Sequence, residues 1–526
     1  MKEEESIRLE VNSVSSEDVS KESRKNREVF SLSEPRKTMK DDFGLYEIRL
    51  LILTQLGYIP IAAAMLISTF SEPSKAWCNQ TQISEAFWVQ NPMAEFYSLT
   101  VEHGKACRED SITTYLSSLL MWGALIGSFF FGFLSDKMGR KPVFLSEYFY
   151  EKLWKSSQFF IACLLMVSLG HFVLIFTSKL YWCVICGVLF LMGVFCGGYM
   201  VTNFVILTEA FELAKSRLLV VSFNGWSLSM TATAIIARTT QYWFGYHVIS
   251  AIIGIFLTIL LYLTCFESCR WLSANGRHLE AKRIAAEITL KNGKRDIDQD
   301  DIILMEWYEI LGFSVPTHTE EKKTWKTLYK NSKLRKLTGV MCYSFLASSI
   351  VSFGYYFSLD VLPGNRYSNM AMMGVMKFVL GFVPFVLNRF VTKRIIAILS
   401  VGTCFLAAVL MLPIQYFEIS WLHWAYTVFT LIVSGGIDPT WKINHLYSAE
   451  LFPTSVRSMA RGVCNAGGRF GSVMAPLVGN FIVYFRIYDQ VIPSVVFAFL
   501  LLIQLIVIVI FLPDDKDKDA NEMNDE

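Results

Sequence analysis

The chain has 526 residues, 53% hydrophobic and 18% charged, below the roughly 25% charged content of an ordinary soluble domain. Its formal net charge of +2 leaves no electrostatic footprint for nucleic acid. The 11 cysteines show no doubled C-x2-C…C-x2-C spacing of a zinc site, and neither a metal nor a cofactor is expected.

In chain order, residues 1–42 are charged and Ser-rich, a composition that buries no core and reads as a disordered cytoplasmic tail. The first apolar run, about 47–70, is too long and too far in for the core of a cleavable signal, so it serves as a first span. A span needs about 20 apolar residues to cross a roughly 30 Å hydrocarbon layer. Further runs of that kind fall at about 113–134, 157–177, 180–208, 218–238 and 245–266. After a polar stretch at 267–333 come six more, at about 336–360, 369–388, 395–414, 420–447, 456–484 and 490–512. Lipid leaves such continuous runs no option but helix. The expected organisation is therefore a six-helix bundle over 43–266, a cytoplasmic central loop over 267–333, a second six-helix bundle over 334–512 and an acidic cytoplasmic tail over 513–526. Within the loop, 278–301 is helical in flavour and predicts short amphipathic helices.

Basic residues mark the cytoplasmic side. Lys137, Arg140 and Lys141, Lys215 and Arg217, Arg389, Lys393 and Arg394, and Arg457 and Arg461 all fall in loops on the side of the N-terminus. Both termini are accordingly placed inside. The loop 71–112 lies outside and contains the sequon Asn79-Gln80-Thr81, an expected glycosylation site. Cys78 and Cys107 share that loop, where oxidation is permitted; a disulfide between them is predicted, with two free thiols as the alternative. Tyr242, Trp243 and Trp421 stand at expected membrane interfaces and fit an aromatic belt.

The two halves echo one another. Glu209 ends the fourth run and Arg217 follows; Glu450 ends the tenth and Arg457 follows, as duplication in a transporter would leave them. After the second run comes Gly132-Phe133-Leu134-Ser135-Asp136-Lys137-Met138-Gly139-Arg140-Lys141, which resembles the G-x-x-x-D-[RK]-x-G-R-[RK] signature of the major facilitator superfamily. Glu267-Ser268-Cys269-Arg270-Trp271-Leu272 resembles the segment opening the central loop in sugar porters and in the organic ion transporters of solute carrier family 22. Glu450-Leu451-Phe452-Pro453-Thr454 with Arg457, then Gly468-Arg469-Phe470-Gly471-Ser472, is similar to the organic ion family, and the polar span-seven box of sugar porters is missing. Leu189 stands where many facilitators keep an Arg.

The resemblance implies an all-α membrane protein with the major facilitator fold: twelve transmembrane helices in two six-helix halves. It implies that Gly132, Asp136, Lys137, Gly139, Arg140 and Lys141, with Glu209, Arg217, Glu450 and Arg457, latch the halves in one conformational state; a plain topology-setting basic loop is the alternative. It also places Arg469 at a position that is Arg in anion and zwitterion carriers and acidic in cation carriers, and Lys377 where relatives keep a carboxylate. Trp226, Phe353, Tyr355 and Tyr356 fall on helices that line the family's cavity.

A charge within a span is functional by default. Arg469, near the middle of span eleven, is read as a substrate ligand, and its neighbours Gly467, Gly468 and Gly471 as admitting either a helix or a ligand. Lys377 is placed in the outer third of span eight, as a substrate ligand or as a side chain snorkelling outward. Asp438 and Lys442 are four apart on one helical face and are expected to neutralise each other. His445 is either a coupling site or a packing residue.

The resulting expectation is a transporter, not an enzyme, moving small organic anions or zwitterions such as carnitine by alternating access. An organic cation transporter and a non-transporting sensor on the same fold are the alternatives. No G-x-x-x-x-G-K-[ST] phosphate loop occurs, so energy comes from gradients or exchange. Expected partners are the substrate, the lipid bilayer of the plasma membrane and a coupling ion or counter-substrate.

Overall fold

The computed structural model describes residues 43–71, 96–105, 112–137, 158–176, 181–211, 213–274, 277–293, 330–357, 359, 362, 364–417, 422–452, 457–484 and 491–513. Twelve long helical segments run through these residues, one on each apolar run. Spans one to six are Leu45–Leu66, Ile112–Lys137, Gln158–Leu174, Trp182–Ala210, Lys215–Thr240 and Trp243–Thr264. Spans seven to twelve are Ser332–Phe357, Arg366–Leu387, Lys393–Tyr416, His423–Glu450, Arg457–Tyr484 and Val491–Phe511. Nine of them are long and apolar enough to cross a membrane by themselves, and span three is a shorter apolar helix. Spans ten and eleven are long enough, but Asp438, Lys442, Arg461 and Arg469 dilute their apolar character. Large side chains such as Ile252, Phe256 and Leu263 on span six and Phe499 and Ile510 on span twelve face outward, as they would toward lipid.

Packing follows the internal repeat. Spans two and four pack together, as do eight and ten; three and six pair, as do nine and twelve. Between the halves, the most extensive contacts are five with eight and two with eleven, which exchange when every span is advanced by six. The closest of these approaches depend on glycine. A Cβ on Gly127 would sit 1.8 Å from the Val194 carbonyl oxygen, and one on Gly197 2.0 Å from that of Ala124. Gly123 and Gly193 meet the facing backbone in the same way, at 2.3 and 2.2 Å. Spans two and four thus interlock through two small-x-x-x-small ridges, Gly123/Gly127 and Gly193/Gly197, which bring their backbones together.

On the face that carries the start of span one and the end of span six, the amphipathic helix His278–Lys291 answers the expectation for that part of the loop; from 294 on it lies outside the described residues. Asn292 follows the helix and accepts from the Tyr46 amide at 2.9 Å while donating to Glu47 at 3.0 Å. The Tyr46 hydroxyl in turn accepts from the Phe266 amide at 3.1 Å. These bonds fix the loop helix to the first turn of span one. Trp243 departs from the belt expectation: it is 2% exposed and donates its indole N–H to Glu102. Being amphipathic, its ring satisfies its polar edge inside the protein rather than at the interface.

Gly127→Ala should therefore lower the melting transition of the purified protein, by about 1–3 kcal/mol of overpacking. Gly402→Ala, in span nine with open space around the added methyl, should be neutral or gain up to about 1 kcal/mol of helix propensity. Thermal melts of the two variants side by side check both.

Candidate functional site

Span five is broken where its two helical pieces meet. Ala214–Ser222 ends, Phe223 and Asn224 are extended, and Gly225 starts the second piece. The first free amide of that piece, on Gly225, donates to Gln55 Oε1 of span one at 2.8 Å, so a neighbouring helix supplies the cap. The Asn224 side chain is left to reach across to span ten. Its amide nitrogen donates to both carboxylate oxygens of Asp438, at 3.1 and 3.0 Å. Gly381 of span eight permits the crowding, since a Cβ there would lie 3.0 Å from Asp438 Oδ2.

Two lysines flank the same carboxylate. Lys377 Nζ lies 3.9 Å from Oδ1, and Lys442 Nζ lies 3.9 Å from Oδ2. Lys377 donates to Ser352 Oγ of span seven at 2.9 Å, and Ser352 donates to the Tyr356 hydroxyl at 3.4 Å. The Lys377 ammonium also stands 5.4 Å from the Tyr356 ring centre, within reach of a cation–π attraction. All three charged groups are buried: Lys377 is 3% exposed, Asp438 4% and Lys442 8%. The expected Asp438–Lys442 neutralisation is therefore only half of the arrangement, because one carboxylate serves two ammonium groups. Nor does Lys377 snorkel: it sits midway along span eight, with its head fixed inside the bundle.

Arg469 of span eleven forms a second centre. It is 8% exposed, and its one hydrogen bond to a described residue is Nη1 to the Met200 sulfur of span four, at 3.3 Å. Its Nε is buried without a partner among the described residues, and a thioether is a weak acceptor. Gly467 and Gly471 turn out to admit a helix: a Cβ on them would meet the Cys342 and Leu346 carbonyl oxygens of span seven at 2.7 and 2.6 Å. Within the described parts of the spans, the buried charges are thus three cations and one carboxylate.

A strip of aromatic rings lies across the two halves. Trp226 stands 6.4 Å from Tyr58 and 6.2 Å from Phe353, and Phe353 stands 5.3 Å from Tyr356. Tyr58 meets Tyr199 edge-on at 5.4 Å. Tyr355 is not brought into this group. One helical position from Tyr356, it turns away to pack on Phe497 of span twelve at 5.2 Å. His445 is caged by Phe204 at 4.9 Å, Phe345 at 5.0 Å and Trp441 at 5.6 Å, the surroundings of a packing residue.

Of the residues expected to latch the halves, Glu450 pairs with Lys393 at the start of span nine, 2.5 Å away. A Cβ on Gly132 would meet Val201 of span four at an ordinary 3.6 Å, so the close approach of spans two and four belongs to the glycines nearer the helix middles. Glu209 and Arg217 are half-buried on either side of Phe211. The side chains of Asp136, Lys137 and Arg457, and all of Asn79, Cys78, Cys107, Gly139, Arg140, Lys141 and Trp421, lie outside what is described. Sequence reasoning missed Asn224, Gln55 and Ser352. The signal was present for the first two, a lone amide side chain in each of two apolar runs.

The family model described as sugar (and other) transporter matches residues 77–526. Among curated proteins, solute carrier family 22 member 16 of Bos taurus is 27% identical over 383 residues, 70% of this chain and 61% of that protein. Solute carrier family 22 member 21 of Mus musculus is 24% identical over 440 residues, 82% and 71% of the two chains. The steroid transmembrane transporter SLC22A24 of Oryctolagus cuniculus is 23% identical over 402 residues, 76% and 68%. The match thus spans about three fifths of the bovine relative's length and about seven tenths of the mouse relative's. Among solved structures, the proton:xylose symporter XylE bound to 6-bromo-6-deoxy-D-glucose aligns with a TM-score of 0.61 at 14% identity, covering 89% of this chain and 96% of that one.

The Lys393–Glu450 pair is partly exposed, at 17% and 30%. A double-mutant cycle with Lys393→Gln and Glu450→Gln should give a coupling of about 0.5–1 kcal/mol in thermal melts, and the swapped pair Lys393→Glu/Glu450→Lys should recover most of it.

Proposed function

Because the chain belongs to the sugar (and other) transporter family of the major facilitator superfamily, we propose that it carries small organic anions or zwitterions, carnitine-like molecules included, across the plasma membrane. The observation that carries this reading is the buried charge. Within the described parts of the spans, three buried cations, Lys377, Lys442 and Arg469, stand against one buried carboxylate, Asp438. Burying a charge without a partner costs several kcal/mol, so the excess is expensive unless an anion answers it during the working cycle. An uncharged sugar would leave it unanswered, and an organic cation would add to it. Arg469 is the group best suited to a carboxylate or sulfate, having a planar fork of donors and only a thioether and solvent-poor surroundings now. Trp226, Phe353 and Tyr356 offer ring faces for the organic body. One relative is named a steroid transporter, a body of that apolar kind.

Transport would follow alternating access. The halves touch toward both ends of the bundle. Phe70 of the first half stacks on Tyr367 of the second at 5.4 Å. Toward the other end Phe204 stacks on His445, with Arg461 4.3 Å above the Phe204 ring. Rocking would open these contacts in alternation. Both termini are proposed to be cytoplasmic, with Asn79 outside.

Uptake of p-aminohippurate, estrone sulfate, carnitine, tetraethylammonium and xylose into expressing cells tests the reading. Anion or carnitine uptake should exceed that of tetraethylammonium and xylose. Arg469→Asp should cut it about ten- to hundredfold, the worth of a charge-assisted hydrogen-bonded pair, at unchanged surface abundance. Anion uptake that survives Arg469→Asp, or a preference for tetraethylammonium, would refute it. Asn79→Gln should also remove a glycan-sized mobility shift; no shift would contradict the assigned topology.

A further inference from the structure

The three groups around Asp438 divide unevenly between the halves. Its hydrogen bonds come from the first half, both from Asn224 at 3.1 and 3.0 Å. Its charge partners come from the second half, Lys377 and Lys442, each 3.9 Å away. That distance is too long for a hydrogen bond, so neither ammonium donates to the carboxylate. Lys442 has no hydrogen-bond acceptor among the described residues, although it is 8% exposed. Asp438 thus offsets one of the two lysine charges while the ammonium groups keep donors free for another oxygen. Two ammonium groups and one carboxylate leave the cluster one positive charge in excess, and a bound monoanion brings it to neutrality.

We propose, on the reading that the substrate is an anion, that Asp438 is the carrier's internal stand-in for the substrate's anionic group. With no substrate bound it is the anion that stands between Lys377 and Lys442 and offsets half of their charge, and through Asn224 it joins the two halves. Both are needed if an empty carrier is to close and reorient, because two bare ammonium groups would have to pass through a closed, low-dielectric state. An incoming anion takes over the lysines and competes with the carboxylate for them. Asp438 therefore does two things that can be separated experimentally: it weakens substrate binding, and it permits return of the empty carrier, making net transport possible alongside exchange.

The full chain reconstituted in liposomes gives the test, with p-aminohippurate and estrone sulfate as probes. Uptake is measured into vesicles holding no anion and into vesicles preloaded with the same anion. Asp438→Asn should lower the KM for the anion roughly three- to tenfold, the worth of one competing charged contact. It should also abolish uptake into empty vesicles while exchange continues. Asn224→Ala should reduce uptake into empty vesicles in the same sense and leave KM alone. Should Asp438→Asn fail to fold with two unbalanced lysines, the comparison is made on Lys442→Gln. There Lys377 and Asp438 balance, and adding Asp438→Asn should again lower KM and favour exchange. Equal losses of net uptake and exchange with unchanged KM would overturn the proposal while leaving the anion reading intact. An unaltered protein that moves neither probe by either route overturns both.

Discussion

A charge placed among apolar helices has to be answered by another charge or by a ligand, and much of this molecule's interior is arranged around that constraint. The Asp438 carboxylate is where the answers meet. Spans five, eight and ten converge on it, through Asn224, Lys377 and Lys442, and span seven joins through Ser352 and Tyr356. Each of these groups alone would be costly to bury. Held together, they satisfy some of one another's demand and leave a single positive charge over. Arg469 carries the demand further, since the thioether of Met200 accepts its proton only weakly. The interior is therefore polarised toward anions by composition and by geometry at once.

Such convergence requires helices that approach closely and stay in register. Glycine supplies this where the backbones nearly touch, on spans two and four through Gly123, Gly127, Gly193 and Gly197 and on spans seven and eleven through Gly467 and Gly471. Gly374 brings span eight against the Ser227 carbonyl oxygen of span five, next to the Asn224 crossing. Span five can bend toward span ten because its helix is interrupted at Phe223 and Asn224 and capped again by Gln55. Closely packed pairs of helices within a half and an interrupted helix at the junction suit a rocking bundle: stiffness inside each half and a defined contact between them.

The sequence made the twelve spans readable because an apolar run long enough to cross lipid can do little else. It also displayed Lys377, Asp438, Lys442 and Arg469, since a charge in an apolar run is conspicuous. What it did not display was who answers whom. Asp438 and Lys442 share a face at four-residue spacing, but Lys377 reaches the same carboxylate from another helix, and helix-to-helix distances are not written in local spacing. The depth of Lys377 depended on where span eight begins, a matter of a turn at Asn365, whose side chain caps the helix by accepting from the Tyr367 and Ser368 amides. Tyr355 and Tyr356 look alike in sequence, yet a rotation of about 100° per residue sends one to Phe497 and the other to Lys377. Asn224 was passed over because an uncharged amide in an apolar run is quieter than a charge, although its cost when unpaired is comparable to a lost hydrogen bond.

Two of the polar crossings between the halves are related by the internal repeat. Asn224 on span five reaches Asp438 on span ten, and Arg469 on span eleven reaches Met200 on span four. Advancing every span by six turns one pair of helices into the other. Measured from Glu209 and Glu450, which end spans four and ten, Met200 and Asp438 lie within about one helical turn of the same height. A duplicated bundle begins with two equivalent crossings, and here they have diverged in charge. One places a carboxylate under an amide and between two lysines; the other places a guanidinium against a thioether. The divergence matters physically, because two identical crossings would attract a ligand equally to both. With one carrying its own counter-anion and the other carrying none among the described residues, the field inside the bundle has a direction, and on the proposed reading an anion would be drawn first to Arg469, where only a weak thioether contact has to be displaced.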